Sequence, residues 1–546
     1  MSESTAETTD AVVVGAGFAG LYMLHRLRGL GLRALVFEAG DDVGGTWYWN
    51  RYPGARVDIE CINYSFSFSP ELEQDYPWGE RYAPQPEILK YAGYVADRFD
   101  FRRDIRFETR VTAARYDEPS RTWRIETDRG GTVTVRYLVM ATGCLSAAKM
   151  PEIPGTEDFR GQWYHTAHWP HEGVDFTGLR VGVIGTGSSA VQSIPVIAEQ
   201  AADLTVFQRT PAYSLPARNR PLRPGELEGV QAHYREWRKA ARESNGGVPT
   251  EPPTKSALEV TAAERNATLE GAWESGSLTN LLACYTDTGA SQEANDLVKE
   301  FFHGKIRSIV ADPRTAADLC PEYPVGTKRP CLDTGYYETY NRDNVHLVNL
   351  RRTPLEAVTE HGVRTSERQY EFDAIVYATG FDAMTGALTR VHIRGRDGAN
   401  LAGEWHAGPR TYLGIASAGF PNLFMITGPG SPSVLTNMIF SIEHHVRWIA
   451  ELIEWMRAEG VEVVEPTEQA EDGWTQRVAD LADRSLYPAT DSWFLGANVP
   501  GKPRRVMVYL GGAPAYAKEC QAVADAGYTG FEFSRAGAGV RASVTG

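Results

Sequence analysis

Two glycine turns constrain this chain more than any other feature. Gly15-Ala16-Gly17 follows the β-branched run Ala11–Val14, and Gly20 lies one helical turn on. Gly185-Thr186-Gly187 follows Val181–Ile184, with Ala190 in the third place. In such a turn the first glycine permits the tight bend and the second lets a pyrophosphate approach the backbone. The third small residue lets the helix pack closely on the strand, and the helix N-terminus offers its free N–H groups to the diphosphate. Further buried-strand runs are Ala34–Glu38, Arg136–Met140 before Ala141-Thr142-Gly143, Leu204–Gln208, and Phe372–Tyr377 before Ala378-Thr379-Gly380. The predicted fold is α/β, with two Rossmann-like dinucleotide-binding domains. About 170 residues separate the two turns, too many for a tandem repeat of bare units, so the second domain is expected inside the first. The expected division is a flexible tail over 1–10, the first domain over 11–147 and 382–546, and the second over 148–381. A charge-rich stretch from about 216 to 324, including Leu227–Ser244, is expected to be a helical insertion in the second domain. Ile442, Val446, Ile449, Ile453 and Met456 form one apolar helix face closed by Gly460, and read as core.

The strand ends after the two turns differ. Glu38 stands 18 residues after Gly20, where a carboxylate accepts hydrogen bonds from free ribose hydroxyls; FAD is the simplest occupant. The second strand ends Gln208-Arg209-Thr210, without an acid. Arg209 is either a solvated strand-end charge or the fork that grips a 2′-phosphate, with Thr210 adding a hydroxyl. The second reading makes the second nucleotide NADPH, so 11–147 and 382–546 become the FAD domain and 148–381 the NADP domain. Together the sites indicate a flavoprotein fed by a nicotinamide. A disulfide reductase needs a redox cysteine pair soon after the first turn, and Gly40–Asp58 has no cysteine.

Composition removes other classes. Hydrophobic residues are 42% and charged residues 23%, as in an average soluble globular chain. With 55 Lys and Arg against 70 Asp and Glu, the net charge is −15, which disfavours nucleic acid as a partner. No apolar run reaches the ~18 residues of a membrane span, and Met1–Asp10 has no signal-peptide character. The six cysteines contain no C-x-x-C pair, so no metal site is expected and the reducing cytoplasm is the default compartment.

Two longer strings narrow the class: Phe159-x-Gly161-x-x-x-His165-x-x-x-Trp169-Pro170, and the unbroken run from Gly44 to Asp58. Both resemble the fingerprints of type I Baeyer–Villiger monooxygenases, class B flavoprotein monooxygenases, and the motif order resembles that family from Ala11 to about Phe531. Within it the chain is most similar to the phenylacetone and steroid monooxygenase group. The resemblance implies FAD contacts from Gly15, Gly17, Ala19, Gly20, Glu38, Thr46, Trp47, Tyr48, Trp49, Asp58, Tyr64, Val111 and Met438. It implies NADP contacts from Thr186, Gly187, Ser188, Ser189, Gln192, Arg209, Thr210, Lys328 and Trp493. Trp47, Tyr48, Trp49 and Tyr52 are expected to wall the flavin ring. Lys328-Arg329 could be a solvated pair; the resemblance instead gives Lys328 to the 2′-phosphate and Arg329 to the flavin. Asp58 is then the carboxylate that orients Arg329, and these two are the expected catalytic residues. Trp493 is either a core tryptophan or the residue that closes over the nicotinamide ribose. Phe159, Gly161, His165 and Trp169 mark the linker: His165 reads as a backbone-bonded core histidine that fixes a hinge, Trp169 as a packing anchor. Ile59, Leu145, Pro330, Ser433, Val434, Leu435 and Met438 are the expected substrate pocket, mostly apolar and mid-sized.

The resemblance implies that NADPH reduces FAD, O2 is the co-substrate, and a C4a-peroxyflavin attacks a hydrophobic ketone to give an ester or lactone. Such chemistry needs a fixed cation and a water-poor site. The rivals are a flavin-dependent oxygenase of sulfur or nitrogen and a nucleotide-binding scaffold without turnover. The expected assembly is a monomer or weak oligomer.

Overall fold

The computed structural model describes residues 7–535 and the backbone of 542–543. Residues 1–6 of the expected tail lie outside the described residues; Glu7–Thr8 is a short strand paired in parallel with Thr132–Val135.

The run Ala11–Val14 is fully buried and forms the centre of a five-stranded parallel sheet. Its neighbours are Ala34–Phe37 on one side and Tyr137–Met140 on the other, with Ile105–Arg106 and Leu423–Met425 at the edges. Strands covered on both faces carry unbroken apolar runs rather than alternation, which is why AVVV and YLVM stand out. A second five-stranded parallel sheet runs Val345–Asn349, Asp203–Gln208, Arg180–Ile184, Ala374–Tyr377, Gln162–His165. All five of its strands fall between Tyr137–Met140 and Leu423–Met425 of the first sheet. One dinucleotide fold is therefore inserted into the other.

Two parallel strands, Ser214–Pro216 and Cys331–Asp333, pair beside the second sheet. Between them run the helices Glu226–Gln231, Tyr234–Glu243, Ala262–Ser275, Leu278–Leu282, Gln292–Ile309 and Pro313–Leu319. The Thr261 hydroxyl and Glu264 carboxylate cap Ala262–Ser275 reciprocally. This helical excursion returns the chain at Lys328-Arg329, immediately before Cys331. The helix Met438–Ala458 packs along Phe18–Gly29, burying Ile442, Val446, Ile449, Ile453 and Met456, and Gly460 follows it at φ +65°. One apolar core runs beneath both parallel sheets, taking in Val13 and Val183 alike. No helix among the described residues is long and apolar enough to cross a membrane.

Candidate active site

Both glycine turns open helices whose first turns are bare. Phe18–Gly29 begins after Gly17 and Ser188–Gln200 after Gly187, with no side-chain cap and no acid in the first turn. Such N-termini leave N–H groups for an anion. At the first turn a β-carbon on Gly20 would collide with the Gly15 carbonyl oxygen, so only glycine allows this packing. Glu38 is buried at the turn: its carboxylate accepts from Ala16 N at 2.7 Å and Gly40 N at 2.8 Å. A buried acid beside a bare helix end, with Ala19 buried on the helix, fits an FAD ribose and diphosphate.

Around the second turn the donors suit a phosphate-bearing nucleotide. A β-carbon at Gly187 would meet no protein atom within 4 Å, so its backbone can be approached closely. The Thr186 hydroxyl donates to Thr210 O at 2.8 Å, tying the turn to the next strand end. Arg209 is exposed, and neither it nor Lys328 forms a salt bridge among the described residues. The Lys328 ammonium lies 4.8 Å from the centre of the Tyr323 ring. Burial, and next the charge of Arg209, pull its pKa down to about 8. Two cations that repel each other, with the Asp491 charge only partly offsetting them and no carboxylate paired to either, fit a 2′-phosphate, which would relieve both.

The pair expected to be catalytic comes together although its members are 271 residues apart. Arg329 donates to Asp58 through Nε at 2.7 Å and Nη2 at 2.9 Å, and through Nη1 to Val434 O at 2.6 Å. The two side chains are 26% and 30% exposed. Burial opposes the guanidinium charge, but Asp58 more than offsets it, so the pKa of Arg329 rises. Asp58 belongs to the first unit and Arg329 to the return from the helical insertion; the bidentate fork links the two.

The residues of the aromatic string point in different directions. Thr46–Trp49 is a helix, and successive residues on a helix fan out by about 100°. Trp47 donates its indole N–H to Tyr64 OH at 3.2 Å, and Tyr64 is pushed up to about 12 by burial. Tyr48 turns the other way, donating to Asp41 at 2.6 Å, with Trp49 and His171 edge-on to its ring. Tyr52 donates to Gln192 Oε1 at 3.0 Å, across to the second unit.

Leu145, Leu435, Met438 and Trp493 pack against a cluster containing Cys144, Val434 and Phe494. Ser433 is fully buried there, its hydroxyl 3.6 Å from Cys144 Sγ. Pro330 is buried beside Arg329, whereas Ile59 packs into the main core. Val111 is buried at the start of the strand Val111–Asp117. Trp493 stacks obliquely on Phe494, with ring centres 4.1 Å apart. Its loop is held to the linkers by Asn498 Nδ2 donating to Phe381 O at 2.7 Å and by Lys149 Nζ donating to Asn498 O.

In the linker, His165 is 2% exposed. Its Nδ1 accepts from Ala167 N at 3.1 Å, so Nε2 carries the proton and faces Lys149 O at 3.2 Å. Burial lowers its pKa. Phe159 fills the space a side chain at Gly161 would need, and Trp169 packs on Tyr164 and Phe176. Sequence reasoning passed over Tyr487, which packs into the Cys144–Phe494 cluster within reach of the Arg329 charge. It also passed over Tyr323 and the Val434 carbonyl. None of the three carries a pattern signal.

Two dinucleotide sites of different chemistry, joined by a cation–carboxylate pair, define a nicotinamide-dependent flavoprotein. Residues 12–244 match the family described as pyridine nucleotide-disulphide oxidoreductase; the likeness is to its nucleotide fold, since all six cysteines here are free. A Baeyer-Villiger monooxygenase of Pseudooceanicola batsensis is 43% identical, covering 95% of each chain. An acetone monooxygenase (methyl acetate-forming) of a Gordonia species is 42% identical over 96% of this chain and 99% of its own. The structure of an oxidized steroid monooxygenase bound to NADP superposes with TM-score 0.92 at 51% identity, covering 96% and 99%. The chain therefore belongs to the type I Baeyer–Villiger monooxygenases, FAD-dependent enzymes that use NADPH.

Proposed function

We propose that this protein converts hydrophobic ketones to esters or lactones, consuming NADPH and O2. The observation that carries the reading is the Arg329–Asp58 fork linking the two nucleotide units. FAD held at the first turn would supply acceptance of the nicotinamide hydride and activation of O2. Of the five N–H groups of Arg329, three are held by Asp58 and Val434 O. The remaining two are free to meet an oxygen on which negative charge gathers, and the charge is permanent at working pH. Asp58 fixes the plane of the fork. Trp47 and Tyr64 supply a dry apolar flank. Arg209 and Lys328 hold the 2′-phosphate, and Glu38 holds the other nucleotide's ribose. Leu145, Val434, Leu435 and Met438 offer an apolar surface to the ketone. His165, neutral through burial, fixes the linker rather than moving a proton.

The free cysteines support a cytoplasmic site of action, and the expected assembly is a monomer or weak oligomer. The test is a panel of arylaliphatic, cyclic and steroid-like ketones plus one sulfide, scored for products with NADPH consumption and peroxide in parallel. Ester formed in step with NADPH supports the reading. Sulfoxide without any ester would favour the heteroatom oxygenase instead.

A further inference from the structure

Gln192 occupies the first turns of Ser188–Gln200, the helix behind the nicotinamide turn. In a purely nucleotide-binding role its amide would be free to face the cofactor. Both ends of that amide are instead engaged by the other unit. Its Oε1 accepts from the Tyr52 hydroxyl at 3.0 Å, and its Nε2 donates to Arg56 O at 3.1 Å. Gly54 lies between these contacts at φ +79°, and a β-carbon there would collide with the Gln192 carbonyl oxygen. Helix and turn thus approach as closely as backbones allow. Arg56 precedes Asp58 by two residues, so this contact places the carboxylate. The same helix also touches the other half of the ion pair. Ser188 Oγ lies 3.3 Å from Cys331 Sγ, two residues beyond Arg329. Both members of the fork are therefore moored to one helix, and that helix carries the bare N-terminus of the nicotinamide site.

We infer that Gln192 and Tyr52 are a positioning pair that couples the nicotinamide half-site to the Asp58–Arg329 fork. The inference rests on the proposed function for its meaning, but its test does not need a ketone. Burial pushes the Tyr52 phenol up to about 12, so it remains a donor throughout the working range. Gln192 acts through Asp58, not on the reacting atoms.

The experiment uses the full-length, FAD-loaded protein with Gln192→Met, Tyr52→Phe, the double variant, and Gln192→Met in an Asp58→Ala background. Tyr52→Phe keeps the ring and removes only the hydroxyl, so it guards against a failure to fold. Two quantities are read: NADP+ affinity by titration, and the limiting rate of flavin bleaching at saturating NADPH. In Gln192→Met the limiting rate at saturating NADPH is expected to fall at least fivefold, whatever NADP+ affinity that contact also loses. The double variant should be no slower than Gln192→Met, because Gln192→Met already loses the bond from the Tyr52 hydroxyl. On Asp58→Ala, Gln192→Met should add less than twofold. A tenfold loss of NADP+ affinity with an unchanged limiting rate would make Gln192 a direct nucleotide ligand and overturn the inference. So would effects that multiply independently, or a full Gln192 effect without Asp58. Whether the wild type makes ester is read separately from the ketone panel, so failure of the proposed function is distinguishable from failure of this coupling.

Discussion

NADPH affinity should carry the titration of one lysine. In the free protein Lys328 has its pKa pulled down to about 8, first by burial and then by Arg209. It is then about nine-tenths protonated at pH 7 and about one-tenth at pH 9. A 2′-phosphate beside it favours the ammonium, so binding raises this pKa and takes up a proton. The sign follows: affinity is fully present below about pH 8 and is lost as pH rises, until the pKa of the complex is reached. Between pH 7 and pH 9 the loss is about tenfold, or about 1.4 kcal/mol. The phosphate's own second ionisation lies near pH 6 and stays nearly complete over that range. Calorimetric titration of NADP+ in two buffers of different ionisation enthalpy should show about half a proton taken up at pH 8. NADH, which lacks the phosphate, should show no such dependence. Lys328→Met should flatten the profile and weaken NADPH at pH 7. Parallel pH profiles for NADPH and NADH, or an unchanged profile in Lys328→Met, would refute the reasoning.

Arg209→Ala should weaken NADPH by roughly 10- to 100-fold, the loss of a charge-assisted bond of ~1.5–3 kcal/mol, and leave NADH nearly unchanged. It should also move the Lys328 midpoint upward, since Arg209 is the second cause of the lowered pKa; equal losses for both nucleotides would remove Arg209 from the phosphate site. Asp58→Ala should retain FAD yet slow flavin reduction and oxygenation, because it takes two of the three bonds that hold Arg329. Stopped-flow traces indistinguishable from wild type in both half-reactions would take Asp58 out of the mechanism.

What the chain announces in advance is whatever is local. AVVV before Gly15 and VGVI before Gly185 are legible because strand segments buried on both faces leave no polar positions. The acid-for-arginine exchange between Glu38 and Arg209 is legible because both stand at fixed places after a strand. The Asp58–Arg329 fork is a different case: its members are 271 residues apart, and only the family resemblance paired them. Side-chain direction was illegible too. A string of aromatic residues reads as one surface, but the short helix Thr46–Trp49 turns Trp47 toward Tyr64 and Tyr48 toward Asp41. Gln192 has the same lesson, since no spacing rule says that its amide meets Tyr52 and Arg56 on the other unit.

The most direct test of the central claim is the yield of ester per NADPH consumed by Arg329→Ala. Negative charge that gathers on oxygen in a dry site needs a preorganised cation, worth several kcal/mol. Hydride transfer depends mainly on positioning. The variant should therefore still bind both nucleotides and consume NADPH slowly, with oxygen diverted to hydrogen peroxide and ester close to zero. Arg329→Lys should fail nearly as badly, because an ammonium cannot reproduce the planar fork held by Asp58. Ester at near wild-type yield per NADPH in Arg329→Ala would contradict the account.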